Sequence, residues 1–144
     1  MALKLVHHQT ARHCLKILDE ANIIRALSSE YIVNLIDVLA WEGNIFAFYE
    51  LMEGGSMTGL IERGYPYSEQ FCKYTILQVT KGLEFMHENH VIHRDIKADN
   101  ILVRSDGTIK ICDLGLSIYQ EDDCVQDRSI MGTPNWIAPE ILQG

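Results

Sequence analysis

No run of about 18 consecutive apolar residues, the length that reads as a membrane-crossing helix, occurs in this chain. The start, Met1-Ala2-Leu3-Lys4-Leu5-Val6 followed by His7-His8, is too short and too polar for a signal peptide, so a soluble protein with no membrane span is expected. Cysteine is sparse. The four, at positions 14, 72, 112 and 124, form no C-x-x-C pair, and they read as reduced thiols of an intracellular, cytoplasmic protein. Positive charge is also in short supply: 12 Lys and Arg stand against 20 Asp and Glu, a formal charge of -8. That balance repels a polyanionic backbone, so nucleic acid is not an expected partner. Repeats and low-complexity tracts are absent, and the only charge run, Glu121-Asp122-Asp123, reads as a solvated loop.

What is present suffices for a packed core. A chain of 144 residues fits one domain or a piece of one, and 47% hydrophobic composition supplies the apolar side chains. Ala2 to Val6 reads as a short strand. Thr10 can cap a helix running to about Leu27, with Ile17, Ile24 and Leu27 as its apolar stripe. Glu20 lies on that inward face, three residues after Ile17 and four before Ile24, and a carboxylate there needs a cation. Ile32 to Ala40 and Ile45 to Leu51 are β-rich runs joined as a hairpin by Trp41-Glu42-Gly43-Asn44, and Gly54-Gly55-Ser56 ends the second. A second helix, capped by Ser68, carries Cys72, Ile76, Val79, Leu83 and Met86 as an expected buried stripe. From Val91 onward strands and loops are expected.

The most informative local geometry is the pair of runs Ile101-Leu102-Val103 and Ile109-Lys110-Ile111-Cys112 around Asp106-Gly107. Asp-Gly favours a type I′ turn, and with those two residues as the turn Asn100 falls opposite Asp113. Two oxygen-bearing side chains then meet, which suits Mg²⁺. Just before them, Asp95 sits between Arg94 and Lys97 in His93-Arg94-Asp95-Ile96-Lys97 and should stay ionised. A metal site, a cation and a proton-accepting carboxylate are the parts phosphoryl transfer needs.

HRDIKADN (93 to 100), DLG (113 to 115) and GTPNWIAPE (132 to 140) resemble the catalytic loop, metal-binding loop and activation-segment end of a eukaryotic protein kinase. The wording is most similar to the sterile-family serine/threonine kinases of MAP kinase cascades. The resemblance implies an α+β, two-lobed fold, with residues 1–53 as small-lobe remainder and hinge and 54–144 as the start of the large lobe. It also implies ATP and Mg²⁺ as cofactors, protein substrates with Ser or Thr acceptors, and an upstream activating kinase. By resemblance, Asp95 is the catalytic base, Lys97 the cation meeting the transferred phosphoryl group, and Asn100 with Asp113 the Mg²⁺ ligands. Ala2-Leu3-Lys4 resembles the end of the VAIK motif, so Lys4 would be the partner of Glu20 and would meet the α- and β-phosphates. Tyr49 would be the gatekeeper and Glu50-Leu51-Met52 the hinge, with Ala2 and Leu102 enclosing adenine. Ser129 stands where an activation-loop phosphosite lies, within reach of Arg94, and Gly132-Thr133-Pro134 resembles the substrate-docking loop.

Some features depart from the pattern. No G-x-G-x-x-G occurs, the segment from Gly54 to Gly59 is followed by Leu60 where a P-loop needs Lys, and Leu114 replaces the usual Phe of the metal-binding loop. The expectation is therefore a catalytic domain truncated at both ends, with Leu114 tolerated in an apolar slot against Ile24 and His93. An alternative is a catalytically incompetent fragment that acts as a binding module. His87, His90 and His93 share a three-residue spacing that could suggest zinc, but they read better as solvated or core histidines.

Overall fold

The computed structural model describes residues 1–7, 11–120 and 131–143. The Thr10 cap lies outside them. β1 (Ala2–His7), α1 (Ala11–Ala26), β2 (Leu35–Trp41) and β3 (Asn44–Tyr49) form the first part, an antiparallel sheet in the order β1-β3-β2 with α1 between its first two strands in sequence. The expected hairpin is present. Glu42 and Gly43 both take positive φ, 44° and 75°, between the paired residues Trp41 and Asn44. Two such residues match the right-handed twist of the strands they join.

β2 begins at Leu35, three residues later than the apolar run that starts at Ile32. The intervening backbone has another partner: Val33 donates to the Ile111 carbonyl at 2.9 Å, and Ile111 donates to that of Tyr31 at 2.8 Å. Ile32 is thereby sunk into a core of Ile23, Ile24, Leu27, Met86, Val91 and Leu114. Leu114, 1% exposed, shares this cluster with Ile24, which bears out the Ile24 side of the slot expected for it.

The second part follows through β4 (Gly55–Ser56), α2 (Met57–Glu62), α3 (Glu69–Glu88), β5 (Val91–Ile92), a 3₁₀ turn (Ala98–Asn100), β6 (Ile101–Val103), β7 (Ile109–Ile111), β8 (Ile118–Tyr119), a second 3₁₀ turn (Pro134–Trp136) and α4 (Pro139–Gln143). Gly55 and Ser56 do not close the preceding strand. They pair with β6, and the Ser56 hydroxyl accepts from the Gly59 N–H at 3.1 Å to cap α2. A six-residue helix is too short to show a period in the sequence.

Ser68 caps α3 as expected, accepting from the Phe71 N–H at 3.1 Å. The buried face is rotated from the expected one. Val79, Leu83 and Met86 pack inward, but Cys72 is exposed and Ile76 is 65% exposed, while Thr75 and Gly82 are buried in their place. Gly82 explains the rotation: a Cβ there would stand 2.8 Å from the Ile111 side chain and 3.2 Å from that of Tyr31, so the helix meets β7 along its smallest residue.

The β6–β7 hairpin also differs by one step from the predicted register. Ile101 pairs with Ile111 and Val103 with Ile109. Gly107 donates to the Arg104 carbonyl at 3.0 Å with φ 89°, and Arg104 donates to that of Thr108 at 2.9 Å. The loop thus has three residues, a type I turn closed by a left-handed glycine, instead of the two-residue type I′ turn. Asn100 consequently faces Cys112, whose N–H it accepts at 2.9 Å, and Asp113 lies one residue further out. Among the described residues, no helix is long and apolar enough to cross a membrane.

Candidate active site

Between the first sheet and the β6–β7 hairpin lies a cavity of about 360 Å³. Ala2 and Lys4 reach it from β1, Glu20 from α1 and Tyr49 from the end of β3. Glu50 and Met52 border it from the connection between the two parts, and Leu102, Asn100 and Asp113 from the hairpin side. Every residue that the resemblance assigned to nucleotide or metal therefore lines one space. The off-by-one register does not separate Asn100 from Asp113. Asp113 takes φ 61° just past β7, and this left-handed residue turns the chain so that its side chain enters the cavity.

Lys4 answers the buried carboxylate of Glu20. Its Nζ lies 3.0 and 3.1 Å from the two oxygens, and 3.6 Å from Oδ1 of Asp113. Burial acts against the Lys4 charge, but the field of Glu20 outweighs it and raises the ammonium above its ordinary range. Lys4 is a permanent cation inside the cavity. Cys112, also on the wall, has its thiol pushed up to about 12, first by burial and then by the charge of Asp113. It is a small neutral wall group.

Beside this cavity Asp95 is held from several directions. Its Oδ2 accepts from Lys97 at 2.8 Å and from the Asn100 amide at 3.2 Å; its Oδ1 accepts from the Thr133 N–H at 2.9 Å and the Thr133 hydroxyl at 2.6 Å. Burial opposes the charge, yet the Lys97 and Thr133 hydrogen bonds prevail and hold the carboxyl below its usual range. The Thr133 hydroxyl in turn accepts from Lys97 Nζ at 2.6 Å. Thr133 is thus brought to the Asp95 carboxylate itself, which the resemblance of its segment to a substrate-docking loop did not foretell.

His93 orders this loop from within. It is 1% exposed, its Nδ1 accepts from the Asp95 N–H at 3.2 Å, and its Nε2 lies 3.1 Å from the Cys112 carbonyl. Accepting at Nδ1 leaves the proton on Nε2, so the ring is neutral, consistent with burial lowering its pKa. Arg94 takes φ 66° and donates through Nε to the Leu116 carbonyl at 2.7 Å. The 131–143 segment passes so close that a Cβ on Gly132, at φ 124°, would lie 2.9 Å from the Arg94 carbonyl oxygen. Ser129 lies outside the described residues. No group of three or more His, Cys, Asp or Glu placed to hold a metal is found among the described residues.

Sequence reasoning missed two things. Val33 lines the cavity, although it belongs to no strand and carries no chemical signal. Glu50 borders the cavity while its carboxylate accepts from Lys110 at 2.6 Å, from the Asn34 N–H at 2.7 Å, and from Arg104. Lys110 lies between apolar Ile109 and Ile111 on β7, and nothing in that local pattern points to a partner 60 residues away.

The donor types at the cavity suit a hard cation. Asn100 uses its NH₂ toward Asp95, including the Asp95 carbonyl at 2.9 Å, which leaves the amide oxygen as acceptor, and Asp113 adds a carboxylate to the same space. A cavity with a fixed internal cation and two oxygen donors, next to an ionised aspartate, has the groups that handling a phosphate requires. The whole chain, residues 1–144, matches the protein kinase domain, and the protein belongs to that family. It is 36% identical over 124 residues to a protein of Dictyostelium discoideum named as a probable serine/threonine-protein kinase. It is 39% identical over 129 residues to the serine/threonine-protein kinase CST20 of Candida albicans, and 37% identical over 129 residues to STE20 of Debaryomyces hansenii. These matches cover 86%, 88% and 88% of this chain but only 25%, 10% and 12% of the relatives' own lengths. The sterile-family resemblance accordingly extends through most of the chain. Proteins of this family generally use ATP and Mg²⁺ and act on other proteins.

Proposed function

We propose that this chain carries the catalytic centre of a serine/threonine protein kinase, which transfers the γ-phosphate of ATP to Ser or Thr hydroxyls of protein substrates. The reading rests above all on Asn100. It lines the cavity that contains Lys4, Glu20 and Asp113, and its amide hydrogen-bonds Asp95, so nucleotide site and proton acceptor are physically joined. Adenine would lie between Ala2 and Leu102, against the backbone of Glu50 to Met52, with Tyr49 behind it. Lys4, steadied by Glu20, would hold the α- and β-phosphates. Asn100 and Asp113 would hold magnesium, which when bound neutralises charge on the phosphate oxygens.

Asp95 would orient the acceptor hydroxyl and take its proton as the oxygen attacks the γ-phosphorus and the bond to the β-phosphate oxygen breaks. Lys97 would meet the negative charge gathered on the transferred group. Thr133 would keep both side chains aimed. Ser129, once phosphorylated by an upstream kinase, would act through Arg94. We divide the chain functionally at residue 53, with the small-lobe remainder and hinge before it and the start of the large lobe after it, and place the protein in the cytoplasm because its cysteines read as reduced thiols.

The test is phosphate transfer from γ-labelled ATP to a basic test protein by the intact protein and its Asp95→Asn variant. Transfer is expected to fall at least about 100-fold, the low end for loss of a general base, with Mg·ATP affinity retained within about twofold. An Asp95→Asn protein that transfers phosphate at the original rate would refute the assignment.

A further inference from the structure

The Tyr49 hydroxyl donates to Oε1 of Glu20 at 3.3 Å, the same oxygen that Lys4 Nζ reaches at 3.0 Å. Tyr49 closes β3, opposite Ala2 of β1 and Leu35 of β2, and its ring packs against the core that includes Ile24 of α1 and Leu27 just after it. Glu20 is therefore fastened on two sides. One tie, Lys4, is itself 44% exposed and faces the cavity; the other comes from a half-buried ring set in the sheet. Burial, then the charge of Glu20, raises the phenol above its ordinary range, so it remains a donor throughout physiological pH.

A lysine in contact with phosphates exchanges part of its attraction to Glu20 for attraction to the ligand. Were Lys4 the sole restraint, Glu20 and α1 would be free to drift as that exchange occurs. From this geometry we infer that Tyr49 is a positioning residue: through its hydroxyl it fixes Glu20, and through Glu20 it aims Lys4 at the phosphates of the nucleotide. This rests on the kinase reading above and adds to it a role for the hydroxyl beyond that of a wall.

Tyr49→Phe removes the hydroxyl and keeps the ring. Binding of Mg·ATP and of adenosine to the intact protein, measured by calorimetry, separates positioning from general loosening, because only ATP has phosphates for Lys4 to meet. The expected result is a Kd for Mg·ATP raised about three- to tenfold, less than the full worth of a hydrogen bond to a charged group because the hydroxyl acts on the phosphates only through Glu20 and Lys4, with the Kd for adenosine unchanged. Equal weakening of both ligands would reduce Tyr49 to a packing residue, and no change in either would also overturn the inference while leaving the kinase reading intact. An unaltered protein that binds neither ligand would remove the kinase reading and this role together. The contact is checked without nucleotide by urea unfolding: the cost of Tyr49→Phe should largely vanish in a Glu20→Ala background, and an undiminished cost would show that the hydroxyl and Glu20 do not interact.

Discussion

The chemistry proposed at Asp95 depends on how one carboxylate is kept charged, oriented and available. Thr133 supplies a backbone N–H and a hydroxyl to Oδ1, and the same hydroxyl receives Lys97. Thr133→Val keeps the shape and the N–H but removes the hydroxyl from both side chains. Since a hydrogen bond to a charged group is worth about 1.5–3 kcal/mol, kcat is expected to drop by about tenfold or more. The pH profile supplies the sign. In the proposed mechanism Asp95 works as an anion, so the rate should fall as acid protonates it, and losing a donor to the anion should move that acid limb to higher pH. A Thr133→Val protein with an unchanged limb and rate would mean that the hydroxyl has no part in holding Asp95. The closeness of Asp95, Lys97 and Asn100 was legible in the sequence because they stand within one short motif. The attachment of Thr133 to Asp95 was not, because 38 residues separate them and only the fold closes that distance.

At the scale of elements, turns and caps were easier to read than buried faces. Trp41-Glu42-Gly43-Asn44 and the Ser68 cap are local devices, each settled within a few residues. The face of α3 was not local. Apolar periodicity chose Cys72 and Ile76, whereas the helix buries Thr75 and Gly82, since the missing side chain of Gly82 lets the helix approach β7 more closely than any apolar pair would. Gly82→Ala tests this directly. Helix propensity alone favours alanine by about 1 kcal/mol, but overpacking against Ile111, which is fully buried, costs about 1–3 kcal/mol. The overpacking is expected to win, with a net loss of up to about 2 kcal/mol in chemical unfolding. A stabilised variant would show that α3 and β7 are not in the close contact described. The hairpin failed in a similar way: Asp-Gly fits both a two-residue turn and the end of a three-residue one, and only the Ile101–Ile111 pairing decides between them.

For the molecule as a whole, the connection between its two parts is clamped by charge. Glu50 receives Lys110 and Arg104 from the hairpin side and the Asn34 N–H from the segment leading into β2. Burial disfavours the Glu50 anion, but the Lys110 hydrogen bond and then that of Asn34 overcome it and hold the pKa below the ordinary value. The stability this contributes is present above about pH 4.3, the unfolded value, and is lost as acid protonates the folded carboxylate. Lys110 is only 6% exposed, so Lys110→Met leaves a mostly buried anion short of a partner and is expected to destabilise by about 3 kcal/mol or more. The double variant Lys110→Met, Glu50→Leu should recover part of that loss. Equal stability of Lys110→Met and the unaltered protein would mean that the clamp contributes nothing.

The cavity was foreseeable from motifs because Lys4, Glu20, Asn100 and Asp113 each carry a chemical demand, a cation for a carboxylate or oxygens for a metal, that a fold has to satisfy. Val33 has no such demand, and only the pairing of its backbone with Ile111 brings it to the wall. The most direct test of this site is ATP affinity titrated against Mg²⁺ in the intact protein and in Asp113→Asn. Magnesium is expected to tighten ATP binding to the unaltered protein and to have little effect once the Asp113 carboxylate is gone; an affinity equally indifferent to Mg²⁺ in both proteins would contradict the metal-assisted phosphate site on which the kinase reading depends.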